Sequence, residues 1–434
     1  MRINSKKTMR DLFIGLEEKV CDSEGRCIEC INFDNAATTP PIKSSIECIY
    51  RLSNTYASVG RGTGQKAEIT TDLYHASKEF IMDFFNVRKK EDYVVIYANN
   101  TTEGINKLAK TLLKNNDDEV VISSRMEHHS NDLPWRNRGD VDYIEVDEQG
   151  RLKIEELEEK LKINAGKVKY VSLTGASNVT GYVNDIHNIA KIVHKYGAKI
   201  IIDGAQLVPH EKVEISGETE EEDIDFLVFS SHKIYSPFGI GVIIGLKEEL
   251  KKSYKDYVGG GTVDLVLDKK EFYLQPPERN EAGTPNFLGV MSLINSLSFI
   301  NTIGYDYIKK HEKILLNHIL DGLKSIPGVT NYGDVKNIND RLGIATFNID
   351  QMYHHDVAEL LAKKYGISVR HGWFCAHPYC RRLMNVSEDE AKLFLEDTNE
   401  KMLGMVRISF AIYNSVDEVD KFLNAVDDIC KTLK

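Results

Sequence analysis

No stretch of this 434-residue sequence approaches the run of about 20 apolar residues that a membrane-spanning helix needs. The basic start, Met1-Arg2-Ile3-Asn4-Ser5-Lys6-Lys7, is followed by no apolar run, so a secretory signal peptide is not expected and the cytoplasm is the expected location. An excess of positive charge is also missing. Lys and Arg number 55 against 66 Asp and Glu, a formal charge of -11, which argues against nucleic acid or an anionic membrane as the main partner. Nor is there a disulfide framework: the cysteines are seven, an odd number, and they are scattered at 21, 27, 30, 48, 375, 380 and 430. Cys21, Cys27 and Cys30 cluster as C-x5-C-x2-C, but no fourth ligand stands at a diagnostic spacing. They are read as a cysteine-rich turn before the first strand, and no metal site is expected. Internal repeats and low-complexity segments are absent too.

What is present is enough apolar sequence, 42% of the chain, for a large core divided over two domains. From about Ile31 to Leu246, short apolar runs alternate with helical patterns. Tyr93–Tyr97, Glu119–Ile122, Val168–Leu173, Lys199–Ile202 and Phe226–Phe229 read as strands, and Glu103–Leu113 and Ile186–Tyr196 as amphipathic helices. This rhythm predicts an α/β fold, a large domain with a mostly parallel sheet sandwiched by helices. After Gly283-Thr284-Pro285-Asn286 the texture changes to one long helical stretch, about Phe287–Leu323. A smaller α+β unit then follows, with strands at Gly343–Ile349 and Met405–Phe410 and helices at His355–Tyr365 and Val416–Leu433. The expected organisation is an N-terminal extension over 1–30, a large domain over 31–290 and a small C-terminal domain over 291–434.

In parallel sheets ligands bind beyond the carboxyl ends of the strands, and the segments there are rich in polar and small residues. Phe226-Leu227-Val228-Phe229 runs into Ser230-Ser231-His232-Lys233. Burial of a lysine at such a strand end lowers its pKa and makes the amine a nucleophile for a carbonyl group. On its own, Lys233 reads better as a lysine whose amine reaches out to water, as most lysines at strand ends do. Thirty residues earlier another apolar run ends in Asp203-Gly204-Ala205-Gln206. A lysine for an aldehyde and a carboxylate for a pyridinium nitrogen are what pyridoxal phosphate (PLP) requires. Asn100-Thr101-Thr102-Glu103-Gly104 opens a helix after a strand, which suits an anion and equally an ordinary N-cap. Glu127-His128-His129-Ser130-Asn131 offers a histidine to stack on a planar ring or move a proton, with metal binding or a plain surface position as rival readings of the pair.

With these stand Phe33-Asp34-Asn35-Ala36-Ala37-Thr38-Thr39-Pro40, Ser177-Asn178-Val179-Thr180-Gly181, Glu281-Ala282-Gly283-Thr284-Pro285-Asn286 and Arg370-His371-Gly372-Trp373-Phe374-Cys375-Ala376. In this order the motifs resemble those of the fold-type I, class V aminotransferase superfamily, and within it the cysteine desulfurase and selenocysteine lyase branch. The resemblance runs from about Ile31 to the C-terminus. It implies that Lys233 carries PLP and moves protons, and that Asp203 pairs with the pyridine nitrogen. Gln206 and Asn178 would lie near the ring hydroxyl and the substrate, and His128 on the ring. Thr101, Thr102, Ser230 and His232 would hold the phosphate. Family members are homodimers, and Thr284 would reach the phosphate of the neighbouring subunit. Arg407 would grip the substrate carboxylate, and Ala37, Arg61 and Arg370 would line the substrate site. Cys375 would attack the sulfur of a bound L-cysteine, giving alanine and an enzyme persulfide for an acceptor protein. The sequence departs from many relatives at Gly60, where they carry histidine, at Trp373-Phe374, and in a longer stretch between Cys375 and Arg407. A C–S β-lyase or an aminotransferase acting on another amino acid is the alternative, with Cys375 then incidental.

Overall fold

The computed structural model describes residues 8–60, 62–113, 119–252, 257–396 and 402–433. In chain order the strands are β1 (Lys19–Cys21), β2 (Cys27–Glu29), β3 (Ile31–Asn32), β4 (Tyr93–Ala98), β5 (Val120–Ser124), β6 (Asp140–Ile144), β7 (Val168–Thr174), β8 (Lys199–Asp203), β9 (Phe226–Ser230), β10 (Gly241–Leu246), β11 (Val263–Leu267), β12 (Lys270–Tyr273), β13 (Val329–Tyr332), β14 (Ile344–Ile349), β15 (Ile367–Ser368), β16 (Arg370–Gly372) and β17 (Met405–Ser409). Seven of them form one sheet in the order β4-β10-β9-β8-β7-β5-β6. All run parallel except β10, which is antiparallel to both neighbours. Every residue of β4 and β9 is buried, because helices cover both faces of the sheet. That is why these strands read as continuous apolar runs rather than as alternating ones.

A smaller antiparallel sheet, β13-β14-β17-β16, lies towards the C-terminus. Beside it, β3 pairs in parallel with β15, which brings Ile31 and Phe33 into the same apolar cluster as Phe347, Val406 and Phe422. The expected single helix over 287–323 is two helices, Phe287–Ile303 and Tyr305–Ser325, bent by 77°. Gly304 separates them at φ +86°, a conformation that costs glycine little and other residues more. The first of the two packs its apolar side chains, among them Phe287, Leu293 and Ile300, into the core of the large sheet. The second delivers Leu315, Ile319 and Leu323 to the core of the small one. Position 290 therefore falls inside a helix that belongs to the large core.

Of the N-terminal cysteines, Cys21 and Cys27 sit on a hairpin rather than in a turn, and Cys30 follows its second strand. β1 and β2 are antiparallel, with Cys21 opposite Cys27, both exposed. Among the described residues no single helix is long and apolar enough to cross a membrane, although the bent pair would pass on length and composition together.

Candidate active site

Five segments leave the carboxyl ends of β4, β5, β7, β8 and β9 and converge on a cavity of about 900 Å³. After β4, Asn100 caps the helix Thr101–Leu112 by accepting the Glu103 N–H at 2.9 Å. Gly241 on β10 passes directly beneath: a Cβ there would lie 2.5 Å from the carbonyl carbon and oxygen of Asn100. Only glycine lets the strand approach the cap this closely. The Thr101 N–H donates to the Ser230 hydroxyl at 2.7 Å, and the Thr102 hydroxyl meets that of Ser130 at 2.6 Å. The Thr101 hydroxyl also meets that of Ser230 at 2.6 Å, so four hydroxyls and a helix N-terminus are gathered in one corner, the arrangement that takes a phosphate. His232 borders the same corner, with burial first, and then Lys233, holding its pKa down at about 4, so it meets an anion as a neutral ring.

Lys233 ends the single turn Ser231–Lys233 that follows β9. Burial pushes its pKa down to about 8; the Asp203 carboxylate opposes this, Arg407 adds to it and the Cys375 thiol opposes it. Asp203, the last residue of β8, is 3% exposed. Burial raises its pKa, while the Ala205 N–H at 2.9 Å and the charge of Lys233 hold it down. Gln206 donates through Nε2 to the Ala36 carbonyl at 2.8 Å, leaving its Oε1 buried and without a partner. His128 accepts the Ser130 N–H at Nδ1, 3.1 Å away, which leaves Nε2 to carry the proton. Burial, and then Lys233, push its pKa down to about 3, so the ring is neutral and suited to lie on another planar ring.

Across the cavity stand the two arginines. Arg370 on β16 and Arg407 on β17 are direct partners in the antiparallel register. Arg407 is 3% exposed; it donates from Nη1 to the Asn178 carbonyl at 2.9 Å and from Nη2 to Asp34 Oδ1 at 3.0 Å, and its Nε has no partner. Cys375 is exposed at φ +54° and follows Phe374 at φ +48°. Two successive side-chain-bearing residues in the left-handed region are uncommon and need support from their surroundings. That support comes from two donors, the His129 N–H to the Cys375 carbonyl at 2.6 Å and Asn178 Nδ2 to the Phe374 carbonyl at 2.8 Å. The loop is therefore fastened to the segments after β5 and β7. Cys380 is buried, its thiol 3.2 Å from the Trp373 carbonyl, and burial raises its pKa.

The cavity lining includes Ala37, Thr101, Thr102, His128, Asn178, Asp203, Gln206, Ser230, His232, Lys233, Arg370, Cys375 and Arg407. Thr284 is not brought there. It borders a second cavity of about 680 Å³ with Gly60, Lys78 and Glu281, where Lys78 and Glu281 form a buried ion pair at 2.9 Å. Arg61 lies outside the described residues.

The model of the aminotransferase class-V family matches residues 31–422. The chain belongs to this family. It is 35% identical over 392 residues to a probable cysteine desulfurase of Halalkalibacterium halodurans, covering 88% of this chain and 92% of that one. With a cysteine desulfurase of Wigglesworthia glossinidia brevipalpis the identity is 33%, covering 99% and 98% of the two chains. Among solved structures, a cysteine desulfurase of Thermococcus onnurineus superposes with a TM-score of 0.82 at 30% identity, over 93% of this chain and 95% of that one. A cysteine desulfurase of Escherichia coli, in its S-sulfonic acid form, gives 0.80 at 26% identity, over 98% of both.

Class-V aminotransferases depend on PLP, and the residues present fit it. A hydroxyl-lined corner at a helix N-terminus, a buried acid, a neutral histidine and a lysine of lowered pKa face one cavity, and Gln206 Oε1 is buried there without a partner. Two residues in contact with this site were not singled out from the sequence. Asp34 lies 3.0 Å from Arg407 and 3.6 Å from Arg370, and its place in the Phe33–Pro40 motif was the available signal. Glu127 is buried and hydrogen-bonded by Asn131 Nδ2 at 2.6 Å, and it was hidden by the more conspicuous histidines beside it.

Proposed function

We propose that this chain is a PLP-dependent cysteine desulfurase that takes the sulfur of L-cysteine onto Cys375 as a persulfide and releases L-alanine. The observation that carries the reading is the exposed Cys375 thiol on the same cavity as Lys233 and Arg407, on a loop fastened by His129 and Asn178. When bound, PLP supplies an electron sink for the substrate's α-carbon. Lys233 would hold the cofactor aldehyde and, once its amine is released, move protons at the substrate α-carbon. Asp203 would keep the pyridine nitrogen protonated, His128 would lie on the ring, and Gln206 and Asn178 would orient its hydroxyl and the substrate. Thr101, Thr102, Ser230 and His232 would hold the phosphate. Arg407, with Arg370 beside it, binds the substrate carboxylate by charge-assisted hydrogen bonds, and Ala37 lines the site. The Cys375 thiolate attacks the sulfur of L-cysteine: an S–S bond forms, the substrate C–S bond breaks, and the former β-carbon takes a proton to become the methyl group of alanine.

The reading extends to a homodimer in which Thr284 reaches the neighbour's phosphate. It is supported by the apolar hairpin β11–β12 near Thr284 in sequence, whose Leu265, Val266, Leu267 and Phe272 are all exposed. A cytoplasmic location accords with a mechanism that needs a reduced thiol. The persulfide is passed to an acceptor protein that meets the exposed face of Cys375. Incubating the holoenzyme with L-cysteine, L-selenocysteine and other amino acids, with alanine, pyruvate and sulfide measured separately, tests the reading. Alanine from L-cysteine that disappears in Cys375→Ala supports it; alanine production that persists in that variant overturns it.

A further inference from the structure

Arg370 and Arg407 face each other across β16 and β17 as direct register partners. Like charges placed so in a sheet repel. A single carboxylate sits against both: Asp34 Oδ1 lies 3.0 Å from Arg407 Nη2, and Oδ2 lies 3.6 Å from Arg370 Nη1. Asp34 is itself fixed. Its N–H donates to Asn32 Oδ1 at 3.1 Å, it bridges to Ser409 on the strand extending from Arg407, and its carbonyl accepts the Ala37 N–H at 3.2 Å. The two arginines line the cavity, and Arg407 keeps one N–H, Nε, without a partner. Two cations and one anion leave a joint charge of +1, which matches one carboxylate.

We propose that Asp34 is a positioning residue of the substrate-carboxylate site: it holds Arg370 and Arg407 side by side against their repulsion and leaves the trio a joint charge of +1, the complement of a single carboxylate. This rests on the reading of Arg407 and Arg370 as carboxylate ligands given above. Without Asp34, Arg370, whose side chain is 55% exposed, is free to swing into water, whereas Arg407 is too buried to follow it. The pair then carries +2 and loses its side-by-side geometry. Removing Arg370 as well removes the repulsion, so the two losses do not add.

The test compares the PLP-loaded wild type with Asp34→Asn, Asp34→Glu, Arg370→Gln and the Asp34→Asn/Arg370→Gln double variant. KM and kcat for alanine formation from L-cysteine are measured, together with the dissociation constant of L-alanine from its effect on cofactor absorbance. Asp34→Asn is expected to raise both KM and the L-alanine constant about tenfold, with kcat changed less than about threefold. Asp34→Glu is expected to recover most of the loss, and the double variant to be no worse than the poorer single one. Constants within twofold of wild type in Asp34→Asn overturn the proposal, as do fully additive losses in the double variant. If the wild type forms no alanine from L-cysteine, the desulfurase reading fails, while L-alanine binding still decides the part played by Asp34.

Discussion

The amide N–H of His129 donates to the carbonyl of Cys375 at 2.6 Å, so the thiol-bearing loop is anchored to the segment that carries His128. The bond runs through the backbone, and the side chain of residue 375 can be changed without releasing the loop. Cys375→Ala is therefore expected to bind PLP normally and to lose alanine formation from L-cysteine by at least about a hundredfold, close to the loss expected for removing a nucleophile. Absorbance titration with PLP and a coupled alanine assay check both halves.

Cys380 stands in contrast, five residues on and fully buried beneath the same loop. Its replacement by alanine is expected to cost about 1 kcal/mol of stability, as a small deletion in a packed core does, and to leave kcat within about twofold. Denaturant unfolding and the same alanine assay separate the two cysteines.

The pKa of Lys233 lies near 8, below the ordinary lysine value of about 10.4. Capture of PLP by the apoenzyme needs the neutral amine. The second-order rate of capture is expected to rise about tenfold per pH unit below pH 8 and to level off above it. A rate still climbing at pH 9 to about pH 10 would mean an unperturbed lysine. Stopped-flow absorbance over this range measures it, with Lys233→Ala as the blank.

Burial pushes Glu127 up to about 8, against hydrogen bonds from Ser124 and Asn131 that favour the charged form. A folded-state pKa above the unfolded value of about 4.3 means that the folded protein binds the extra proton between these limits. The stability it contributes is present below about pH 4.3 and is lost as pH rises towards 8, by up to about 1.4 kcal/mol per unit. Glu127→Gln, which keeps the shape and cannot ionise, is expected to flatten that part of the stability–pH curve. Unfolding midpoints of the two proteins across this interval provide the check.

The exposed strand β11 carries Leu265, Val266 and Leu267 in succession. Val266→Glu is expected to weaken self-association by about tenfold or more, since a charge placed in an apolar contact is left unpaired. Sedimentation across a concentration series reads it, and PLP retention is expected to fall with dissociation if Thr284 serves the neighbouring site.

The parallel strands and the lysine, acid and histidine at their ends were legible in the sequence because burial on both faces forces continuous apolar runs, and a run that stops at a polar residue marks a strand end. The reversed direction of β10 was not legible, since Gly241–Leu246 is as apolar as its parallel neighbours. Gly304 was lost within an apolar stretch whose periodicity continues across a 77° bend. Asp34 was hidden for a different reason. Its partners Arg370 and Arg407 lie more than 330 residues away in the chain, and only the pairing of β3 with β15 and of β16 with β17 brings the three together.

The central claim is sulfur transfer to Cys375, and the most direct measurement is the mass of the Cys375-containing peptide after the holoenzyme has turned over one equivalent of L-cysteine, with alanine and pyruvate quantified in the same sample. One added sulfur on that peptide, with alanine formed in equal amount, is the predicted result. An unmodified Cys375 with pyruvate and sulfide in place of alanine would contradict the account and point to elimination.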